Sequence, residues 1–257
     1  MNKNRTSVDS RKELIKAIQF LGHRYSAWQV FEDFLAMSAI SISNAVDWVN
    51  REKRENQYLS IVKRYAKEEL NMFPKMFAFL VELLESHAEH PHDILGSIFH
   101  ELELHNKYKG QFFTPQHICD FMGMVAISEN NLDINKRGFI SLCEPCAGSG
   151  AMILGFAKAM KKSGYNFQQH MVVTATDIDP KCVFMTYLQL SLYGIPAVVV
   201  HGDTISMKEW SRWYTPVYML NGWAMRQQHK KIEATEVSAE QISKGENEQL
   251  TLFDIAL

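Results

Sequence analysis

A change of rhythm near residue 138 constrains this chain more than any other feature: beyond it, short apolar runs alternate with helical stretches. Residues 139–143 read as a strand, the turn Ala147-Gly148-Ser149-Gly150 follows, and a helix then runs through Lys162 to Gly164. Residues 171–176 read as a second strand. Its helix opens at Asp179-Pro180, with aspartate as N-cap and proline in the first helical position, and stops at Gly194. Residues 197–200 give a third strand, and 216–220 a weaker fourth. Apolar strands alternating with helices imply a parallel sheet with right-handed crossovers. An α/β core is the expectation.

Residues 10 to 110 read differently. Leu14-Ile15-Ala17-Ile18-Leu21, Phe31-Phe34-Leu35 and Met76-Phe77-Phe79-Leu80-Leu83-Leu84 keep three- and four-residue spacing with charges between them, the signature of amphipathic helices. Cations gather at Arg51-Lys53-Arg54 and Lys63-Arg64-Lys67. These read as a solvated helix face, with a phosphate-binding strip as the other reading. From Gln227 the chain turns polar and glutamate-rich, as a disordered tail does, until residues 249–257 become abruptly apolar.

Composition narrows the class. At 46% apolar and 22% charged residues the chain is globular. No apolar run reaches the roughly 18 residues of a membrane span, and the polar N-terminus carries no secretory signal. Four unevenly spaced cysteines build no disulfide framework and, with thirteen methionines, suit a reducing cytoplasm. A net charge of −2 does not advertise a nucleic-acid binder, so any DNA contact must come from a local patch or a partner.

Several chemical features fall in one order. The Gly-rich turn Glu144-Pro145-Cys146-Ala147-Gly148-Ser149-Gly150 follows the first strand, where glycines let backbone approach a ligand and the next helix offers its amides. A tight structural turn would look the same. The second strand ends in Asp177, where nucleotide folds place the carboxylate that holds ribose hydroxyls; Asp179 is explained as a helix cap. The third strand ends in Gly202-Asp203. Ligands of open α/β sheets sit at this carboxyl edge, where the three acids should converge.

Upstream stands Gly110-Gln111-Phe112-Phe113-Thr114-Pro115, preceded by Asp93-Ile94-Leu95-Gly96. Together with the loop thirty residues on, this segment resembles the amino-group DNA methyltransferases, specifically the modification subunits of type I restriction systems. The resemblance covers roughly residues 90 to 205. It implies a Rossmann-like core that binds S-adenosylmethionine, after a helical N-terminal domain. On that basis the backbone around Phe112, Thr114 and Pro115 holds the methionine carboxylate. Glu144 and the Gly148-Ser149-Gly150 turn lie against the amino group and sulfonium. Asp177 binds the ribose, Ile178 packs on the adenine, and Asp203 accepts from the adenine amino group.

The family pattern breaks at its catalytic step. These enzymes carry Asn or Asp, then Pro-Pro, then an aromatic. The acceptors draw on an adenine amino group whose lone pair is delocalised, and the ring stacks on the flipped base. No such run exists here; Asn221-Gly222-Trp223 is the nearest stand-in, and a plain strand-to-helix turn is its other reading. The chain after Trp223 has no length for further strands or a recognition domain, so the expectation is that DNA is read with a partner subunit. A non-catalytic adaptor is the rival reading, and a small-molecule methyltransferase the third.

No metal is expected. His87, His90, His92, His100 and His105 lack the spacing of a zinc helix, since Leu104 stands where the second ligand of His100-Glu101 would be. The single Cys143-x-x-Cys146 sits on a strand end taken as buried and in the loop. The tail segment Gln249, Leu250, Leu252 and Phe253 resembles the short peptide by which bacterial proteins dock on the sliding clamp. The resulting division is a helical domain over 1–108, a Rossmann-like cofactor domain with an incomplete parallel sheet over 109–226, and a tail over 227–257.

Overall fold

The computed structural model describes residues 3–102, 113–129, 134 and 138–228. Residues 1–219 form one compact unit and 220–257 another.

The helical half is built as its periodicity requires. Helix α1 (Lys3–Tyr25) buries Leu14, Ile15, Ile18 and Leu21. α2 (Ala27–Asn44) begins where Ser26 accepts from the Gln29 N–H at 3.3 Å, and it buries Val30, Phe31, Phe34 and Leu35. α3 (Arg51–Val62), the short α4 (Lys67–Leu70) and α5 (Met72–Ser86) follow, α5 turning Phe73, Met76, Leu80, Leu83 and Leu84 inward. α6 (Ile94–Glu101) is capped by Asp93, and α7 is Gln116–Glu129.

The sheet follows in the same unit. Strand β1 (Ile140–Glu144), α8 (Ala151–Lys162), α9 (Phe167–His170), β2 (Met171–Asp177), α10 (Pro180–Leu192) and β3 (Ala197–Asp203) form two β-α-β steps, with β1, β2 and β3 parallel. Asp179 caps α10 through the Lys181 N–H at 2.9 Å, with Pro180 opening the helix as read. α7 and α8 cross closely enough that a Cβ on Gly123 would stand 2.6 Å from the Gly155 carbonyl oxygen. One apolar cluster runs from Leu14 through Leu95 and Val199 to Trp213, so helices and sheet share a core.

Three expectations are corrected. Residues 216–220 are not a strand but a short helix, α11 (Pro216–Leu220), and the fourth strand is β4 (Lys208–Tyr214), antiparallel to β3. The sheet is therefore mixed. Only residues 204–207 separate β3 from β4, too few for a parallel crossover, so the chain can only turn back as a hairpin. Thr215 ends that strand: its hydroxyl donates to the Ile195 carbonyl and accepts from the Ala197 N–H, both at 2.9 Å, and Pro216 then opens a helix. The Cys143 thiol is exposed rather than buried, because β1 pairs with β2 alone in the described sheet.

Arg54 fastens α3 to the hairpin. Its Nη1 donates to Asp47 Oδ2 at 2.6 Å and to the Ser43 hydroxyl, and its Nη2 donates to the Arg212 carbonyl at 2.7 Å. The guanidinium lies 4.0 Å from the Trp213 ring centroid. Burial, the largest influence, pushes the Asp47 carboxyl up, but donors from Asn50 and Arg54 outweigh it and hold the carboxyl below its ordinary range. Lys53, by contrast, is exposed, so the cationic run is part buried joint and part solvated face.

In the second unit, residues 223–228 are helical and the Arg226 guanidinium lies 5.0 Å from the Trp223 ring centroid. Among the described residues no helix is long and apolar enough to cross a membrane, and no group of three or more His, Cys, Asp or Glu could hold a metal ion. The expected boundary at 108–109, His105, Phe112 and the peptide at 249–253 lie outside the described residues.

Candidate functional site

The carboxyl ends of β1, β2 and β3 carry Glu144, Asp177 and Asp203 at one edge of the sheet. Between them the loop after β1 turns on Gly148 (φ 56°) and Gly150 (φ 90°), left-handed conformations in which a side chain is strained. The loop is anchored to β2 by the Ala147 N–H on the Thr176 carbonyl at 2.9 Å. A Cβ on Gly148 would also stand 3.1 Å from the Phe113 ring. That ring packs against Phe99 and His100, with centroids 5.1 and 5.4 Å away, and the Phe113 N–H donates to His100 Nε2 at 3.3 Å. The second aromatic of the upstream motif therefore covers the glycine loop; Thr114 and Pro115 follow it, exposed, just before α7.

Asp177 joins the pieces. Its Oδ2 accepts from the Gly148 N–H at 2.8 Å and its Oδ1 from the Asp179 N–H at 2.9 Å. Burial raises its carboxyl above the ordinary range, against those backbone donors. Glu144 shows the same direction: burial raises it, the Cys146 N–H lowers it, and the Asp177 charge raises it again. No cation is among the influences on either group. Ile178, 62% exposed, follows as an apolar surface beside them. Asp203 is engaged in its own turn, accepting from the Ile205 N–H at 3.0 Å and the Ser206 hydroxyl at 2.8 Å, and these donors hold its carboxyl low. The Thr204 hydroxyl donates to the Pro145 carbonyl at 2.6 Å, closing this turn against the first loop.

Ser149 faces away from the edge. It is buried, and its hydroxyl donates to Asp93 Oδ2 at 2.5 Å. Asp93 Oδ1 also accepts from the Gly96 N–H at 2.8 Å and Gln189 Nε2 at 2.9 Å. Gln189 Nε2 donates to the Ser149 carbonyl at 2.7 Å, while its Oε1 accepts from the Ile94 N–H at 2.8 Å. Thr186 completes the cradle by donating to the Gly148 carbonyl at 3.0 Å. Sequence reasoning noticed Asp93 but missed its partners Thr186 and Gln189. Only their place on α10, four residues or fewer apart on the face toward the loop, could have flagged them.

The pattern of the N-6 DNA methylase family matches residues 92–239, more than half of the 257. The chain belongs to that family. Two solved structures are distantly similar. One, from Listeria monocytogenes, is described as a class I S-adenosylmethionine-dependent methyltransferase; it is 13% identical with TM-score 0.45, over 79% of this chain and 55% of that one. The other is a type I restriction-modification methyltransferase subunit of Streptococcus thermophilus, 15% identical with TM-score 0.35, over 82% and 56%. The chain thus spans little more than half of either, and its membership rests on the family match. No curated protein matches significantly. The region shared with the N-6 DNA methylases begins one residue before Asp93 and takes in α6, the glycine loop and all three acids, whereas α1 to α5 lie outside it. It also includes Asn221, which is exposed, and Trp223, whose ring is 1% exposed.

Proposed function

We propose that this N-6 DNA methylase family member binds S-adenosylmethionine at the carboxyl edge of β1 to β3 and acts on DNA adenine together with a partner subunit. One observation carries the reading: Glu144 and Asp177 stand half-buried beside the glycine loop, Asp177 bonded to the Gly148 N–H, and neither makes an ion pair among the described residues. Such groups attract a ligand rich in hydroxyl and ammonium donors, and the cofactor has both. Backbone N–H groups of Gly148, Asp179 and Ile178 and the Cys182 thiol already act on Asp177, so ribose hydroxyls would share or displace these donors. Glu144 and the Gly148–Gly150 backbone would meet the amino-acid end with Phe112, Thr114 and Pro115, Ile178 would lie on the adenine, and Asp203 would accept from its amino group. The bound cofactor supplies an electrophilic methyl on a sulfonium. Asn221 would accept from the target amino group, and Trp223, 1% exposed, would have to leave its buried position to stack on the base.

A second reading is favoured by Gly222 and Trp223, which stand where the family chemistry needs Pro-Pro and an aromatic. In it the chain is a cofactor-binding adaptor in DNA maintenance or restriction avoidance, tethered to the sliding clamp through Gln249, Leu250, Leu252 and Phe253. Both readings require the cofactor. Calorimetry should show S-adenosylmethionine binding, weakened about ten- to a hundredfold by Asp177→Ala, the effect of losing about 1.5–3 kcal/mol of hydrogen bonding to a charged group. No wild-type binding at millimolar cofactor would refute both.

A further inference from the structure

A slot of about 260 Å³ opens between α3 and the β3–β4 hairpin, away from the glycine loop. Asn50, Lys53 and Gln57 form one wall; His201, Trp210 and Trp213 form the other. The spacing explains the first wall, since positions 50, 53 and 57 fall on one face at the head of α3. Among the described residues Lys53 makes no ion pair and the Gln57 side-chain amide no hydrogen bond; the Gln57 carbonyl accepts from the Ser60 hydroxyl at 2.6 Å. The Asn50 amide donates to Asp47 Oδ2 at 2.9 Å, so its carbonyl oxygen stays available. No carboxylate lines the slot, and the one other cation there, Arg54, is already neutralised by Asp47. The opposite wall is aromatic. Trp210 is 43% exposed, and its ring centroid lies 4.7 Å from that of His201. His201 Nε2 reaches the Ile178 carbonyl at 3.3 Å; a carbonyl can only accept, so Nε2 donates and a neutral ring keeps Nδ1 as an acceptor.

We infer that this slot takes a nucleotide: a base against Trp210, its edge read by the Asn50 and Gln57 amides, its phosphate on Lys53. Each element answers one part of that ligand. An exposed indole gives a stacking face that tolerates any base. Side-chain amides match the mixed donors and acceptors of a base edge. An unpaired lysine over a slot without acids favours an anion. A volume below that of most drug-sized sites admits one ring and excludes a duplex. The nucleotide is therefore free or an unpaired residue of a strand. The strand is DNA on the reading proposed above, on which this inference rests for that choice. The Ile178 carbonyl that His201 holds belongs to the corner assigned to the cofactor adenine, so the slot borders that site without sharing its acids.

The test uses the full chain, a short fluorescein-labelled single-stranded oligodeoxynucleotide read by polarisation, and adenosine 5′-monophosphate as competitor. The oligonucleotide should bind. Trp210→Ala should weaken it about tenfold, the effect of one lost stacking contact, and Lys53→Ala should lower the slope of affinity against salt by about one. Trp48→Ala, an exposed ring outside the slot, should change nothing. Competition by the mononucleotide would identify a free nucleotide as sufficient, and its failure would identify the strand; either supports the slot. No binding of either probe, equal binding by both slot variants and wild type, or equal loss in Trp48→Ala would overturn it. So would displacement of the probe by S-adenosylmethionine, which would make the slot part of the cofactor site. If Trp210→Ala fails to fold by circular dichroism, Lys53→Ala on the surface of α3 decides alone. Cofactor calorimetry on the same preparations reads the proposed function separately.

Discussion

Replacing Asp93 by alanine removes the joint that holds the glycine loop from beneath. Asp93 is 6% exposed and accepts three hydrogen bonds: from the Gly96 N–H, the Ser149 hydroxyl and Gln189 Nε2. These donors fare differently once the carboxylate is gone. The Ser149 hydroxyl can rotate, and Gln189 Nε2 keeps the Ser149 carbonyl at 2.7 Å. The Gly96 N–H cannot move and loses its cap. Losing an N-cap costs about 1 kcal/mol, and each buried donor left unsatisfied costs about 1–3 kcal/mol. With the hydroxyl partly recovering, the sum is about 3 kcal/mol. For a chain of this size that lowers Tm by roughly 6–12 °C. Thermal unfolding followed by circular dichroism measures it, and calorimetry should show weaker S-adenosylmethionine binding because Ser149 is then pinned at its carbonyl alone. Asp93→Asn keeps the shape and one acceptor, and should fall between the two. A Tm within 2 °C of wild type would refute the assignment of Asp93 as the joint.

Arg54→Ala leaves Asp47 buried without its cation and should cost about 3–5 kcal/mol near neutral pH by thermal or urea unfolding. Because Asp47 is held low in the wild type, its contribution is present above the ordinary carboxylate pKa and is lost as pH falls through the depressed one, so the gap between variant and wild type should narrow on acidification. With labelled cofactor and mixed duplex DNA, the chain alone should transfer methyl groups very poorly, and Asn221→Ala should remove whatever transfer is seen; robust transfer by the chain alone would refute this. A peptide of residues 245–257 should bind the bacterial sliding clamp with about micromolar affinity, typical of a short motif that orders on binding, and Leu252→Ala with Phe253→Ala should abolish it.

What was legible in the sequence was whatever repeats locally. Asp179-Pro180 announced α10 because an N-cap and a proline at N1 act within one turn, and the apolar runs of β2 and β3 could hardly be anything but buried strands. The failures share a cause. Residues 216–220 looked like a strand by side-chain type, yet the Thr215 hydroxyl closed the strand on Ile195 and Ala197 and a proline at 216 opened a helix; meanwhile Lys208–Tyr214, with three charges in seven residues, hid a strand that exists because a short turn lays it on β3. Arg54 looked solvated because its partner Asp47 and the Trp213 face were invisible to a window on α3. Ser149 was placed correctly as part of the loop, but its hydroxyl goes to Asp93, fifty-six positions earlier.

The same long-range bonds explain why the loop is ready before any ligand arrives. Gly148 is held at both polar groups, its N–H by Asp177 and its carbonyl by Thr186, and Ser149 is held at its hydroxyl by Asp93 and its carbonyl by Gln189. A ligand meeting this loop need not order it, and affinity otherwise spent on ordering is kept. On the proposed reading Asp177 has two tasks, fixing the Gly148 N–H and meeting the ligand. Its burial makes the charged form costly in the empty protein, and hydroxyl donors would relieve that cost. A carboxylate that served the fold alone would gain by being fully satisfied or paired with a cation. On the proposed reading, a half-buried carboxylate at the edge of a rigid loop, held without a cation, trades some stability for binding.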